Sequence, residues 1–185
     1  MYITSSPLQT IDISQMEGTD LKDFFDTSIE DFSNFEVTIM FLSDYAQSKM
    51  IRDGVLYLFE KNNINVPWKN RFALISDELV NNSIEYGSLP LEKNELLVKF
   101  FPENGKLKVI IEVSDTGRGP EAKTSQEMEE IRKLKEMQGF DSYLGKRGRG
   151  LFQLITNIVD ELYFRDGNTG GLVVGVRKEL EFQIT

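Results

Sequence analysis

The sequence predicts an α+β fold, because strand-like and helical segments alternate along a chain of 185 residues. Three observations carry this prediction: a β-branched and aromatic run over 35–42, a helical pattern that leads to residue 87, and two strand-like runs joined by Asn104-Gly105. Asn-Gly between alternating apolar runs is a strong signal for a tight hairpin turn. The sequence therefore combines at least one antiparallel hairpin with helices.

The composition is that of a globular chain. Hydrophobic residues make up 40% of it, with thirteen Phe, so there is enough apolar material for the core of one domain. No stretch approaches the apolar length of a membrane helix, and residues 1–7 lack the basic and apolar regions of a signal peptide. With no Cys for disulfides, we expect a cytoplasmic protein.

Charge and residue usage exclude several functions. Thirty acidic residues against twenty-one basic ones give a net charge of −9, which disfavours direct binding to nucleic acid. The chain has no His, so His-based triads, His-ligated zinc and phosphohistidine relays are excluded. Phosphoryl chemistry here would depend on carboxylates, Mg²⁺ and hydroxyl acceptors.

The first 33 residues are the least informative part. Ile11 and Ile13 alternate with polar neighbours, which favours a short strand, and 21–32 fits a short acidic helix. We assign 1–33 to an N-terminal extension of unknown role and 34–185 to the main domain. A docking arm and a loosely packed terminus are both open, and the second is commoner at chain ends.

A strand and a helix are predicted next. The run over 35–42 reads Phe-Glu-Val-Thr-Ile-Met-Phe-Leu, which is typical of a strand. Asp44 followed by Gln47 resembles a capping box, and apolar residues then recur at helical spacing. We expect this helix to end near Asn62.

The following helix carries the first chemical motif. Pro67 suits its first turn, and Gly87 is predicted as its left-handed cap. Glu78 and Asn82 lie one turn apart, so a carboxylate and an amide oxygen converge on a small volume. Asn82 can give Mg²⁺ an uncharged oxygen ligand while Glu78 stays free as a proton acceptor; the alternative is an ordinary solvated helix face. The predicted buried stripe consists of Phe72, Ile75 and Leu79.

The second motif follows the predicted hairpin, whose strands cover 95–101 and 106–114. The chain then reads Asp-Thr-Gly-Arg-Gly-Pro over 115–120. Gly117 and Gly119 let the backbone approach a flat ligand closely, and Asp115 can accept a hydrogen bond from an exocyclic amine such as that of adenine. The alternative is a tight turn, in which Asp and Gly are common.

The third motif is an anion site. Residues 121–147 are charged, with a helix predicted over 126–138, and are interpreted as a mobile cover. Gly145–Leu151 then combines three Gly with three cations before an apolar helix over 151–160. Free N–H groups, the helix dipole and the cations favour phosphate, although a flexible loop is the alternative. The thin apolar stripe of the cover consists of Met128, Ile131 and Leu134; the anion site contains Arg147, Gly148, Arg149, Gly150 and Leu151.

The last segments predict a strand near 162–165, a turn over 166–171 and a final strand over 172–180. The turn is rich in Asp, Asn and Gly, as turns commonly are. No internal repeat is present.

The order of the three motifs resembles that of the Bergerat-fold ATPases, the superfamily that includes gyrase, histidine kinase catalytic domains and MutL. The resemblance covers about 35–180. It implies a two-layer α/β sandwich, with a mixed, mostly antiparallel sheet, helices on one face and a lid over ATP and Mg²⁺. It also places Glu78 and Asn82 in the N box, Asp115, Gly117 and Gly119 in the first glycine box, and Gly148, Gly150 and Leu151 in the second.

Within that superfamily the compact size and the spelling over 77–87 look most like the anti-sigma factor serine kinases. Those proteins use ATP to phosphorylate a Ser on a STAS-domain anti-anti-sigma partner and otherwise hold a sigma factor, as homodimers. Glu85 stands where sensor histidine kinases usually show a basic residue. The resemblance implies a protein serine/threonine kinase in which Glu78 is the base, Asn82 ligates Mg²⁺, Asp115 fixes adenine, and Arg147 and Arg149 contact the phosphates.

One departure keeps other functions open. Family members commonly place a Ser or Thr before the final strand, whereas this chain reads Thr169-Gly170-Gly171-Leu172. Either Thr169 serves from a shifted position or that contact is missing. A nucleotide-gated protein-binding module without phosphotransfer is therefore the alternative. A hydrolytic ATPase subunit of a larger machine ranks last, because no transducer domain is present.

Overall fold

The computed structural model describes residues 9–15, 21–138, 155, 157–168 and 170–181. Within these ranges the chain forms four α-helices and six strands. No helix in this part is both long and apolar enough to cross a membrane. The helices are α1 (Leu21–Ser28), α2 (Ser48–Lys61), α3 (Val66–Asn82) and α4 (Ser125–Gln138). The strands are β1 (Gln9–Asp12), β2 (Phe35–Leu42), β3 (Lys93–Glu103), β4 (Lys106–Ser114), β5 (Glu161–Asp166) and β6 (Leu172–Glu181).

The six strands form one mixed sheet in the order β1-β2-β3-β4-β6-β5. β1 pairs with β2 in parallel, and every other pairing is antiparallel. The predicted hairpin joins β3 to β4 through Asn104 and Gly105, whose φ angles are 53° and 76°. Two positive φ angles match the twist of a tight hairpin. The predicted α+β fold with a mostly antiparallel sheet is confirmed.

The core lies between one face of the sheet and the helices α2 and α3. Alternate residues of β2 are buried, and those between them are partly exposed, as the period of a strand requires. Phe59 of α2 stacks on Phe72 of α3 at 4.8 Å between ring centroids and meets Phe100 of β3 edge-on at 5.0 Å. The sheet layer and the helix layer therefore share one apolar interior.

Helix α3 begins and ends at polar signals. The Asn65 side chain accepts a hydrogen bond from the Trp68 N–H at 3.3 Å, and Pro67 lies in the first turn as predicted. After Asn82 the chain continues into a π-helical turn, Ser83–Gly87. Such turns insert an extra residue per turn and are frequent at functional sites. The predicted buried stripe of Phe72, Ile75 and Leu79 is confirmed.

The described parts of the N-terminal extension are packed. Ile13 and Phe25 are fully buried, and α1 lies against α2 at Gly54, where an added Cβ would be 2.9 Å from Leu21 Cδ1. The expectation of a loosely packed terminus is therefore wrong for residues 9–15 and 21–33. The role of the extension and the boundary at residue 33 stay predictions.

The predicted capping box before α2 is wrong. Asp44 caps a short 3₁₀ turn instead, with its carboxylate accepting from the Ala46 N–H at 2.9 Å. The Gln47 amide turns away and connects two strands: it accepts from the Leu42 N–H at 2.7 Å and donates to the Ile13 carbonyl at 2.9 Å. Gln47 thus fastens β1 to β2, because its amide carries both a donor and an acceptor.

Helix α4 is anchored to β5. The Ser125 N–H donates to the Asp166 carboxylate, and the Arg132 guanidinium donates to the Leu162 carbonyl, both at 2.9 Å. Leu134, predicted in the buried stripe, is 56% exposed and does not belong to it. The partly buried members of the stripe are Met128 and Ile131. The predicted cover continues past residue 138, outside the described residues.

Candidate functional site

Helix α3 carries two overlapping acid–amide pairs, Asp77 with Asn81 and Glu78 with Asn82. The Ser48 hydroxyl lies 3.0 Å from Asp77 Oδ1 and 2.9 Å from Asn81 Oδ1, so the first pair fastens α3 to the start of α2. The second pair lies one residue further round the helix. There the Asn82 Nδ2 lies 3.4 Å from Glu78 Oε1, and both side chains are partly exposed. The two overlapping pairs therefore have different tasks.

The second pair has unused hydrogen-bonding capacity. Among the described residues, Glu78 Oε2 and Asn82 Oδ1 accept no hydrogen bond. An amide oxygen of this kind suits a hard cation such as Mg²⁺, and a carboxylate beside it suits a proton acceptor. The described part of the chain holds no cluster of three or more His, Cys, Asp or Glu side chains that could bind a metal ion. The pair is close together as expected, and its roles stay predictions.

Asp115 directly follows β4 and is held by two segments. Its Oδ1 accepts the N–H groups of Gly117 and Leu172, both at 2.9 Å. Its own N–H donates to the Leu172 carbonyl at 3.1 Å. Within the described residues its Oδ2 accepts no hydrogen bond, so one carboxylate oxygen is fixed and the other keeps its hydrogen-bonding capacity.

Burial raises the pKa of the Asp115 carboxyl above its ordinary value. The two backbone N–H donors, of Leu172 and Gly117, act in the opposite direction and offset part of that effect. A half-desolvated carboxylate with one open oxygen is a strong hydrogen-bond acceptor for an amine. This is the chemistry that adenine recognition needs.

Gly87 lies against the Asp115 side chain. The prediction of a left-handed cap at Gly87 is wrong, because its φ angle is not positive. Glycine is needed here because the Asp115 side chain lies too close for any other residue. An added Cβ would lie 2.5 Å from the Asp115 Cβ and closer still to the carboxyl group. The turn that ends the helix of Glu78 and Asn82 therefore touches Asp115. This contact brings the first two predicted motifs together.

The two glycines of the second motif pack backbone against backbone. The Gly119 N–H donates to the Gly87 carbonyl at 3.0 Å, and an added Cβ on Gly119 would lie 2.6 Å from the carbonyl carbon of Tyr86. Gly117 has a φ angle of 69° and lies against Gly171, where its added Cβ would be 2.7 Å from the Cα. The sequence predicts a close approach between these glycines and a ligand. In the structure both glycines instead approach the backbone of neighbouring segments of the protein.

In the turn before β6, Gly171 and Leu172 contact Asp115 through their backbone. Gly171 has a φ angle of 83°, and an added Cβ there would lie 2.9 Å from both the carbonyl carbon and the Oδ1 of Asp115. No side chain fits at this position, and the Leu172 N–H donates to Asp115 instead. Thr169 lies outside the described residues, as does the predicted anion site of Arg147, Gly148, Arg149, Gly150 and Leu151.

Sequence reasoning missed a polar network beside the site. The Ser88 hydroxyl donates to Asn94 Oδ1 at 2.6 Å and accepts from the Thr116 N–H at 2.9 Å. The Thr116 hydroxyl donates to the Glu92 carboxylate at 2.5 Å. One signal in the sequence could have found it: the two-residue period of β3 places Asn94 on the buried face, on which the other side chains are apolar.

A comparison with protein families agrees with this geometry. A sequence model of the family described as "Histidine kinase-like ATPase domain" matches residues 41–178. The matched range contains both acid–amide pairs, Asp115 and the glycines around it. No curated protein matches the chain.

Proposed function

The chain belongs to the family of histidine kinase-like ATPase domains, and from this premise we propose that it is an ATP-dependent protein serine/threonine kinase of the anti-sigma type. Its substrate is the hydroxyl of a STAS-domain anti-anti-sigma partner, and as a homodimer it otherwise holds a sigma factor. Family membership supports an ATP-binding module of the GHKL type. The observation that carries the finer proposal is Glu78, a carboxylate beside Asn82 whose Oε2 accepts no hydrogen bond from the described residues.

The adenine end of the proposed site is built around Asp115. Its Oδ1 is fixed by two backbone donors, and its open Oδ2 accepts a hydrogen bond from the exocyclic amine of adenine. Gly87 leaves the space that the carboxylate occupies. Because the carboxylate is held before the ligand arrives, little ordering cost remains for binding.

The phosphate end of the proposed site combines Asn82 with residues 145–151, which lie outside the described part of the chain. Asn82 would hold Mg²⁺ through its Oδ1. When bound, Mg²⁺ neutralises charge that develops on the phosphates during transfer. In this proposal Arg147 and Arg149 contact the phosphates.

Glu78 acts as the general base. It accepts the proton of the incoming hydroxyl while the hydroxyl oxygen forms a bond to the γ-phosphorus. The bond from that phosphorus to its bridging oxygen breaks, and ADP leaves. A positioned base of this kind typically contributes roughly 10²- to 10⁴-fold in rate. A hydroxyl needs such help more than an imidazole does, since an imidazole is already nucleophilic.

The test uses γ-labelled ATP with the purified protein and an extract of its source cells. We expect label on a Ser or Thr of one small protein. Glu78→Gln should lower the rate by roughly 10²-fold or more, with affinity for Mg-ATP nearly unchanged. Asp77→Asn is the matched control, because Asp77 is the neighbouring acid that binds Ser48 instead. Transfer by Glu78→Gln at the native rate would refute the general-base role.

A second candidate function rests on the turn before β6. No side chain fits at Gly171, so a Ser or Thr contact cannot come from that position; whether Thr169, outside the described residues, supplies it stays a prediction. This observation favours a module in which ATP controls protein binding without phosphotransfer. ATP binding without any Glu78-dependent label would support it. Steady release of ADP in the absence of a partner would instead favour the hydrolytic ATPase.

A further inference from the structure

The loop over 88–92 connects the π-helical turn after α3 to the start of β3. Its last residue, Glu92, binds two segments at once. Glu92 Oε2 accepts the Thr116 hydroxyl at 2.5 Å and the Leu89 N–H at 3.0 Å. The other oxygen, Oε1, forms an ion pair with the Arg118 guanidinium. One carboxylate thus joins its own loop to the loop that follows β4.

Glu92 contacts every second residue of the loop that follows β4. Along the segment from Asp115 to Gly119, Asp115 binds adenine in the proposed site, and Gly117 and Gly119 pack against neighbouring backbone. The even positions, Thr116 and Arg118, turn to Glu92. Glu92 therefore holds this segment through Thr116 and Arg118 and not through Asp115, the residue that binds adenine in the proposal.

A buried polar pair, Ser88 and Asn94, also holds this segment. The Ser88 hydroxyl accepts the Thr116 N–H and donates to Asn94, of which only 1% is exposed. The Asn94 Nδ2 is buried and has no partner among the described residues. Buried polar groups that are incompletely satisfied cost stability compared with apolar packing. The network is therefore better explained by the geometry that it imposes than by the stability that it adds.

We propose that Glu92 is a positioning residue for the adenine end of the site. Its carboxylate holds the segment from Asp115 to Gly119 in the binding geometry before the nucleotide arrives. The inference rests on the proposed nucleotide site and deepens it. Because Glu92 acts on the adenine end, its loss should lower the affinities for ADP and ATP by the same factor and leave their ratio unchanged.

The experiment measures the affinities of wild type and variants for ADP and ATP by calorimetry. Glu92→Ala should weaken both nucleotides roughly ten-fold, because a hydrogen-bonded charge is removed from the loop support. Glu92→Gln keeps an acceptor for Thr116 and Leu89 and should weaken both by a smaller factor. Thr116→Val removes the bonded hydroxyl without changing the side-chain shape, so it tests the same support if Glu92→Ala fails to fold.

Glu36→Gln is the matched control, because Glu36 forms an ion pair with Lys99 at 2.7 Å on the far face of the sheet. It should leave both affinities unchanged. Hydrogen exchange of the amides at 116–119 should be faster in nucleotide-free Glu92→Ala and should recover when ADP is bound. If Glu92 contributed only to overall stability, Glu92→Ala would lower the free energy of unfolding but leave the nucleotide affinities and the exchange of the amides at 116–119 unchanged.

Native affinity in folded Glu92→Ala and Thr116→Val would overturn the inference. So would a loss confined to ATP, since that would place Glu92 at the phosphate end. If wild type binds ADP and ATP but phosphorylates no partner, the kinase proposal fails while these affinities still decide the role of Glu92.

Discussion

Gly87→Ala tests whether the end of α3 and Asp115 form one nucleotide site. The added Cβ would lie 2.5 Å from the Asp115 Cβ, so the two must separate by roughly 1 Å to reach an ordinary contact. That shift breaks the bonds from Gly117 and Leu172 to the carboxylate. At about 1.5 kcal/mol for each bond to a charged group, the loss of the two bonds lowers the free energy of unfolding by about 3 kcal/mol. The displaced carboxylate also loses its hydrogen bond to adenine, worth about 1.5–3 kcal/mol, which is roughly 10- to 150-fold in ADP affinity.

The assay is a calorimetric titration with ADP, paired with urea unfolding of the same sample. Gly105→Ala is the control, because its added Cβ meets nothing within 4 Å and only the φ of 76° opposes it. This control should lose about 1 kcal/mol of stability and bind ADP normally. A folded Gly87→Ala variant with native ADP affinity would refute the proposed position of Asp115 in the site.

Two further predictions concern Asp115 and Leu91. Because burial raises the pKa of Asp115, ADP affinity should weaken as the pH falls through that raised pKa, since a protonated Oδ2 no longer accepts. The free energy of unfolding changes in the opposite direction to the ADP affinity: it falls as the pH rises through the raised pKa, because Asp115 ionises in a buried place. Asp115→Asn at pH 7 should therefore lose ADP binding but unfold at no lower urea concentration than wild type. Leu91 is 67% exposed with a φ of 66°, so Leu91→Asn should raise the free energy of unfolding by about 0.5–1 kcal/mol.

Each of these two predictions has a result that contradicts it. An ADP affinity that is constant down to the ordinary pKa range of Asp would show that Asp115 does not take part through its carboxylate. Lower stability of Leu91→Asn in urea would show that the Leu91 side chain makes contacts that outweigh its backbone strain.

Much of the fold can be predicted from local pattern. The run over 35–42 matches β2 residue for residue, and the Asn104-Gly105 turn lies where the hairpin signal places it. Both depend on neighbours in the chain: alternation selects a face of the sheet, and positive φ angles select the turn residues. The capping box at Asp44 fails because the Gln47 side chain binds the Leu42 N–H at the end of β2 and the carbonyl of Ile13, 34 positions earlier in the chain.

The candidate site likewise has features that the sequence predicts and features that only tertiary contacts decide. Spacing alone identifies an acid and an amide one turn apart on α3, but it describes Asp77 with Asn81 as well as Glu78 with Asn82. Only Ser48, 29 positions before Asp77, distinguishes the two pairs by occupying the first.

Residue order along the chain is enough to predict the strands, the helices and the succession of three motifs, because each depends on interactions between near neighbours. The tertiary structure alone shows that Gly87 makes room for Asp115 and that Glu92 supports Thr116. These contacts join residues 28 and 24 positions apart, and no local periodicity encodes such a distance. They arise because the turn after α3 and the loop over 88–92 lie against the loop that follows β4, and Gly87 leaves the room that the Asp115 side chain occupies.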